Sequence, residues 1–279
     1  MERMERRWSE FTKADVQMLA DRTPVEQYHY TWLSQGEYMP PFSGQLAGKK
    51  ITLLFGDGKS YRYHFTDIHQ LNWSSGSGEG KEEYYEALQA PGEEEIFFVQ
   101  FYCKKSVPPT AHTLVLDFKT GLVTLCIAKA GVKPAAREIS REFLFGIMEG
   151  YEDLGERHGF TEDLVGKAIY WTYHEREEAK IKHVYTAPLY YTYIMSDKDG
   201  NCWVASNPAD YVKINDHMYV FSFVEERQAG TQGFFLINMD TLHDVGAFFG
   251  IQAHGMECCL VGAKGELSSP FALELCKSR

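Results

Sequence analysis

The chain has 279 residues and a formal net charge of −11, which is enough length for one large or two medium domains with separate cores. A surface this acidic repels phosphate backbones, so the composition argues against nucleic-acid binding. No stretch reaches the ~20 apolar residues of a membrane-spanning helix, residues 1–7 lack the apolar core of a signal peptide, and six scattered cysteines without a CxxC motif favour a reducing cytosol.

The N-terminal part of the chain is predicted to hold one short helix. Over residues 8–22 the apolar side chains recur roughly on one face, and Pro24 ends the run. Residues 28–33 alternate aromatic and other side chains, which predicts a strand or an extended arm. We therefore assign residues 1–43 to an N-terminal helix and arm.

The segment 44–137 has the pattern of a β domain. Glycines in 56–58 mark a tight turn between two strand-like runs, and 119–121 is a further hairpin signal. Many short strands with regular turns and few helices indicate a sandwich or a barrel. We favour a small antiparallel barrel for this segment.

Residues 138–160 are predicted to be a helical linker. Ile139, Phe143, Ile147 and Met148 give an apolar stripe at helical spacing, with charged residues elsewhere. The β pattern then resumes, and residues 161–279 are assigned to a second barrel. The predicted fold is therefore mainly β, with two tandem antiparallel barrels, an N-terminal helix and a connecting helix.

The two β segments repeat one another. Residues 46–49 and 164–167 each place Gly-Lys before a strand-like run, and the aromatic strand 96–101 has its counterpart at 218–223. The spacing of about 120 residues is far longer than a solenoid period, so it indicates the duplication of a whole domain. Duplicated domains can diverge, and one copy can keep a chemical site while the other keeps only the fold.

Common cofactor motifs are absent from the sequence. It contains no GxGxxG, Walker, HExxH or GxSxG motif, which argues against nucleotide, zinc-protease and serine-hydrolase chemistry. His254, Cys258 and Cys259 are close in sequence, but no further converging ligand is recognisable. We therefore predict no metal and no cofactor, and interpret the cysteine pair as buried thiols.

Beyond about residue 25 the order of these segments resembles the MoaF family, labelled molybdenum cofactor biosynthesis protein F. Members pair an N-terminal with a C-terminal barrel, so the resemblance implies the two-barrel fold. It lends no support to the label itself, because no pterin, nucleotide or molybdenum site is recognisable in the chain.

The second copy also resembles the phenolic acid decarboxylases, which have a lipocalin-like barrel. The similarity rests on Gly166, residues 171–173, Trp203 and residues 219–225. In that family a carboxylate inside the barrel handles the proton of a para-hydroxycinnamate, and no cofactor is used. Glu225 falls on the position of the catalytic glutamate.

The match to the decarboxylases is incomplete. Trp171 and Tyr173 fall where that family has two tyrosines, so one of the two is changed. Cys202 occupies the position of the arginine that holds the substrate, and a further tyrosine position near Ala179 or Lys180 has no counterpart. The resemblance therefore implies the fold and a proton-transfer group, while the recognition of a carboxylate does not carry over.

The residues themselves support a site at the end of one strand. Tyr219, Phe221, Phe223 and Glu225 alternate and therefore point to one face. If that face lines the barrel, burial raises the pKa of the Glu225 carboxyl, as suits a general acid or base near neutral pH. The alternative is that Glu225 begins a solvated turn, because two charged residues follow it.

Tyrosines and a histidine on the neighbouring strands are candidates to assist. His183 shares a face with Tyr185, and Tyr191 shares one with Tyr193. Tyrosine hydroxyls can hold a phenol or stabilise a phenolate, and a histidine can relay a proton. The alternative is that these side chains only fill the barrel and reach water at its rim.

The first copy has Cys103 where the second has Glu225. The sequence therefore predicts that the acid/base group is missing from the first barrel. That barrel still has an aromatic strand face, so it can bind a ligand, cap the second barrel or form a homodimer contact.

Three functions follow from these observations. The favoured one is a cofactor-independent lyase or isomerase that binds a small aromatic, phenolic molecule in the second barrel, with Glu225, Tyr173 and His183 as catalytic residues. The others are a non-catalytic binding or regulatory protein and a scaffold with filled barrels. The predicted substrate-binding residues are Trp171, Tyr185, Tyr191, Tyr193, Trp203, Tyr219, Phe221 and Phe223.

Overall fold

A computed structural model describes most of the chain, and it begins with one helix. Helix α1 spans Lys13–Arg22, inside the range predicted to be helical, while the predicted arm lies outside the described residues. None of the described helices is both long and apolar enough to cross a membrane. The described residues are 13–22, 36–76, 78–131, 139–174, 179–196, 202–225, 230–252 and 255–269.

The first barrel is closed and has eight antiparallel strands that follow one another in chain order. The last strand pairs with the first, where Leu54 lies opposite Ile147, and this contact closes the barrel. Two short turns fall where glycines predict them, between β1 and β2 and between β6 and β7. The strands are β1 (Lys50–Phe55), β2 (Ser60–Phe65), β3 (Gln70–Ser75), β4 (Gly78–Gln89), β5 (Ile96–Cys103), β6 (Thr110–Asp117), β7 (Leu122–Ala130) and β8 (Ile139–Met148).

The second barrel repeats this topology. A short strand, β9, extends the sheet beside β13, and pairing of β12 with β13 closes a ring of eight antiparallel strands. The strands are β9 (Gly159–Phe160), β10 (Ala168–His174), β11 (Ala179–Ala187), β12 (Tyr190–Ser196), β13 (Cys202–Lys213), β14 (Met218–Glu225), β15 (Thr231–Asn238), β16 (His243–Gln252) and β17 (Gly255–Ser268). Two closed eight-stranded barrels are thus the architecture of the chain.

The duplication is preserved in the backbone itself. Gly48 and Gly166 have backbone φ angles of +81° and +85°, which residues with a Cβ atom rarely adopt. The N–H of Gly48 donates to the carbonyl of Phe65 at 2.7 Å, and that of Gly166 donates to the carbonyl of Tyr185 at 2.8 Å. The glycine that opens each repeat therefore ties the chain to the end of the second strand in both barrels.

The prediction of a connecting helix over 138–160 is wrong. Residues 139–148 form β8, the strand that closes the first barrel, and only β9 follows before the second barrel begins. Leu144 and Met148 face the interior of the first barrel, whereas Phe143 and Phe145 pack on the outside against the second barrel. Because β8 is buried on two sides, both of its faces carry apolar residues. These residues together produce the apolar spacing that, in the sequence, predicts one face of a helix.

The two barrels pack against each other through the outer faces of equivalent strands. We call this contact the inter-barrel core. It is edged by an ion pair between Arg141 and Asp210 at 2.8 Å and by a contact of 2.6 Å between His217 and Glu93. Its buried members include Leu88, Ile96, Phe98, Val115, Val212, Val220, Phe234, Leu236 and Val245.

Candidate functional sites in the two barrels

The interior of the second barrel is filled by aromatic side chains from six of its strands. Ring centroids lie 4.7 Å apart for Tyr191 and Phe221 and 4.9 Å apart for Tyr191 and Phe223, at tilted or edge-on angles that aromatic pairs prefer. These side chains are Trp171, Tyr173, Tyr185, Tyr191, Tyr211, Phe221, Phe223 and Phe235. They surround any polar group among them with a medium of low dielectric constant.

Glu225 is a buried carboxyl at the end of this aromatic wall. It is the last residue of β14, lies on the interior face and is 9% exposed. Nδ2 of the fully buried Asn207 donates a hydrogen bond to Oε2 of Glu225 at 3.0 Å. Tyr191 lies on β12, opposite Asn207, and hydrogen-bonds to the side-chain amide of Asn207. The charge of Glu225 also acts on the Tyr191 hydroxyl. The structure therefore places Glu225 in a hydrogen-bonded interior position, not in a solvated turn.

His183 and Tyr173 are buried in the same interior. The His183 ring lies 5.3 Å from that of Tyr191 and 5.4 Å from that of Phe221, and its Nδ1 meets no hydrogen-bond partner among the described residues. Burial lowers the pKa of His183 to about 3, which disfavours a proton relay through this ring near neutral pH. Burial raises the pKa of Tyr173 well above its usual value. At neutral pH His183 is an uncharged imidazole and Tyr173 is a phenol.

The predicted substrate-binding residues do not all lie at the Glu225 end of the barrel. Tyr191 and Phe223 adjoin Glu225, but Tyr219 is the second residue of the same strand as Glu225 and lies six residues away from it, about 20 Å along an extended chain. The Tyr219 hydroxyl donates to Oδ2 of Asp163 at 3.2 Å. Tyr219 therefore belongs to the opposite end of the barrel.

The remaining predicted residues are spread over the barrel wall. Nε1 of Trp171 donates to the hydroxyl of Tyr185 at 3.3 Å in the buried interior. Tyr193 is half-buried against the aromatic interior, and Trp203, also half-buried, is the second residue of the strand that carries Asn207. In the strand register Tyr193 lies opposite Ala205 and Trp203 opposite Met195, so both lie past Asn207 at the Glu225 end of the barrel.

Sequence reasoning overlooked a second buried carboxyl in this barrel. Asp244 on β16 is 1% exposed, and its Oδ1 accepts a hydrogen bond from the N–H of Ala263 at 2.8 Å. Burial raises the pKa of Asp244 well above its usual value, and its charge would act on Tyr173 and Tyr185. The folded protein therefore keeps the proton on Asp244 up to a higher pH than an unfolded chain does.

The first barrel also keeps a buried carboxyl, contrary to the prediction that it lacks one. In the paired strands β4 and β5 Tyr85 lies opposite Phe101, and continuing that register by two residues places Glu83 opposite Cys103. In the second barrel the same extension of the strand register by two residues places Asn207 opposite Glu225. The carboxyl is thus retained at the same end of the barrel, but on the neighbouring strand.

Glu83 is well enclosed. It is 2% exposed, its Oε2 accepts a hydrogen bond from the N–H of Lys104 at 3.1 Å, and burial raises the pKa of its carboxyl. A Cβ at Gly80 would lie 2.6 Å from Oε1 of Glu83 and 2.2 Å from Nε1 of Trp73. A glycine at position 80 is therefore needed to seat both the carboxyl and the indole.

A cavity of about 710 Å³ opens at this end of the first barrel. His112 lies in its wall, with Nδ1 3.1 Å from the hydroxyl of Tyr63 and its ring 4.8 Å from the Trp73 ring. Burial lowers the pKa of His112 to about 3, so its imidazole is uncharged at neutral pH. The cavity is thus walled by neutral rings and carries one buried carboxyl, Glu83.

The two barrels carry residues of different size at one equivalent position of their interiors. His112 is the third residue of β6, and Gly233 is the third residue of the equivalent strand β15. A Cβ at Gly233 would lie 2.3 Å from the Phe223 ring. In the second barrel the phenylalanine rings thus occupy the space beside Gly233, whereas in the first barrel a histidine borders an open cavity.

Neither barrel shows a metal site in the part of the chain that the structure describes. No group of three or more His, Cys, Asp or Glu side chains is arranged there to hold a metal ion. Cys258 and Cys259 are buried, and the neighbouring His254 lies outside the described residues.

Two family models match the chain, one for each barrel. The model described as the MoaF N-terminal domain matches residues 31–131, and the model described as the MoaF C-terminal domain matches residues 158–269. Among curated proteins none is significantly similar in sequence. Strand β8 falls between the two matched regions, although it completes the first barrel.

Proposed function

The chain belongs to the MoaF family, and we propose that its second barrel binds a small phenolic molecule and transfers a proton through Glu225 without a cofactor. The reaction class is that of a lyase or an isomerase, and both barrels are taken as lipocalin-like. The observation that carries the proposal is the buried Glu225 carboxyl, hydrogen-bonded to Asn207 at the end of an aromatic wall. The five described cysteines are all free thiols, which supports a place in the cytosol.

Each polar group of this end has a distinct part in the proposal. The Asn207 amide orients the Glu225 carboxyl, which takes a proton from the substrate or returns one to it. Tyr173 and Tyr191 keep their phenolic protons because burial raises the pKa of both, so they can donate hydrogen bonds to a developing phenolate. His183 stays neutral and helps to position the ring.

Replacing Glu225 by glutamine is expected to lower kcat/KM at least about 100-fold, since a positioned acid or base contributes about 10²–10⁴ in rate. The glutamine can still accept the hydrogen bond of Asn207, so the fold should persist. The measurement is turnover of para-hydroxycinnamate and of related para-hydroxylated aromatics, followed by chromatography. Glu266→Gln, an exposed glutamate on β17, is the matched control, and full activity of Glu225→Gln would contradict the proposal.

A non-catalytic binding protein is the second candidate, and the cavity of the first barrel favours it. About 710 Å³ lies in the range of small-molecule sites. A phenol that raises the melting temperature of the protein and is recovered unchanged would support binding without catalysis. Conversion of the phenol that is lost in Glu225→Gln would support the enzyme.

A further inference from the structure

We propose that the first barrel holds a separate site for a planar aromatic carboxylate, with the ring against the wall formed by Trp73, Tyr61 and His112 and the carboxylate at Lys105 and Lys129. The proposal goes beyond the function assigned to the second barrel, because it uses none of the residues of that site. It rests on the size of the cavity, the nature of its walls and the polar groups that point into it.

The cavity has the size and place of a ligand site. Its volume of about 710 Å³ falls within the range of about 300–1,000 Å³ that is common for small-molecule pockets. It opens at the end of a closed barrel, a usual position for such sites. An acid of one or two aromatic rings would fit within it.

The walls are suited to a flat ring. The His112 ring lies 4.8 Å from that of Trp73 and 5.8 Å from that of Tyr61, and Phe101 backs it at 5.0 Å. The imidazole is neutral, so these rings present faces and edges without a charge to solvate. Stacking on such surfaces favours an aromatic ligand beyond the burial of its apolar area.

One buried donor beside the cavity is unpaired in the described part of the chain. Nε1 of Trp73 is buried and has no hydrogen-bond partner among the described residues. A buried donor without a partner is unfavourable, so an acceptor on a ligand that reaches this N–H would favour binding.

Three lysines line the cavity, and only one of them forms an ion pair within the described parts of the chain. Lys59 lies 3.0 Å from Asp57 and 2.7 Å from Glu142. Lys105 and Lys129 also line the cavity, and neither forms an ion pair there. The other acidic lining residues are the exposed Glu79 at the rim and the buried Glu83, on which the charge of Lys105 acts. An anionic, acceptor-rich ligand would therefore satisfy Trp73 and both lysines.

The test compares aromatic acids with their uncharged methyl esters. We expect 4-hydroxybenzoate and 2-naphthoate to bind the full-length protein at least about tenfold more tightly than the esters, a difference of about 1.4 kcal/mol. Isothermal titration calorimetry measures both constants. Lys105→Gln and Lys129→Gln should each reduce the preference for the acid, and Lys119→Gln, at the opposite end of the barrel, is the matched control.

A further variant separates this site from the second barrel. Trp73→Phe keeps a ring and removes the N–H donor, so it should weaken binding of the acids about tenfold, while Glu225→Gln should leave the binding of 2-naphthoate, which has no phenolic hydroxyl, unchanged. Equal affinity for acid and ester, absence of binding by both acids, or full preference in both lysine variants would overturn the proposal. A loss of turnover in Glu225→Gln with no binding here would refute this site and leave the proposed function standing.

Discussion

Replacing Phe234 by alanine is expected to lower the free energy of unfolding by about 3–5 kcal/mol, the usual cost of a large buried aromatic residue. Phe234 lies on the outer face of β15 and is 1% exposed. Its ring centroid is 5.8 Å from that of Phe98 and 6.0 Å from that of Phe143, both in the first barrel. The truncation therefore leaves a cavity in the inter-barrel core, where neither barrel can close the gap without moving against the other.

Denaturant titration followed by circular dichroism measures this loss. The matched control is Leu267→Ala on the second barrel, because Leu267 is 64% exposed and surface changes usually stay within about 0.5 kcal/mol. The wild type should unfold in one transition, since the inter-barrel core joins the two barrels. A loss below about 1 kcal/mol in Phe234→Ala would contradict the assigned packing.

Asp244→Asn is expected to remove a strong pH dependence of stability. An aspartate in an unfolded chain titrates near pH 3.9, whereas burial keeps the pKa of the folded Asp244 well above that value. Below about pH 4 both states are protonated and the full stability is present. As the pH rises further, the unfolded chain ionises first, and the free energy of unfolding falls by about 1.4 kcal/mol per pH unit until the folded pKa is reached.

The asparagine does not ionise and can still accept the hydrogen bond of Ala263, so its stability advantage over the wild type should grow from pH 4 upward. Stability measured at several pH values gives the difference between the two proteins, which cancels the contributions of other groups. Asp240→Asn, an exposed aspartate in the turn before Asp244, is the matched control. A difference that stays constant between pH 4 and pH 8 would contradict the raised pKa of the buried Asp244.

Most of the β architecture can be predicted from the sequence because the strands of the barrel walls are bounded by glycine turns. The error at β8 has a physical cause. A strand alternates polar and apolar residues only when one of its faces meets water, and β8 meets the barrel interior on one face and the second barrel on the other. The contact with the second barrel therefore removes the alternation of polar and apolar residues along β8, and no local sequence pattern reveals that contact.

The candidate sites were predictable only in part. Glu225 could be found because it ends an aromatic strand in a single run of sequence. Glu83 follows Lys81 and Glu82, a charged run that is typical of a solvated surface, and a register shift between β3 and β4 turns it inward. The place of Glu83 can be recognised only from the pairing of β4 with β5. In that pairing Glu83 lies opposite Cys103, the residue of the first barrel that corresponds to Glu225 of the second.

The inter-barrel core has a consequence for the origin of the chain. Strands β5, β6 and β7 meet β14, β15 and β16, and these are corresponding strands of the two repeats. A contact between the same patch on two copies is the arrangement of a two-fold symmetric dimer. A single-barrel ancestor that paired through this patch would already have had the present quaternary arrangement. Fusion of two such copies would then preserve this contact, and the open ends of the two barrels could diverge separately.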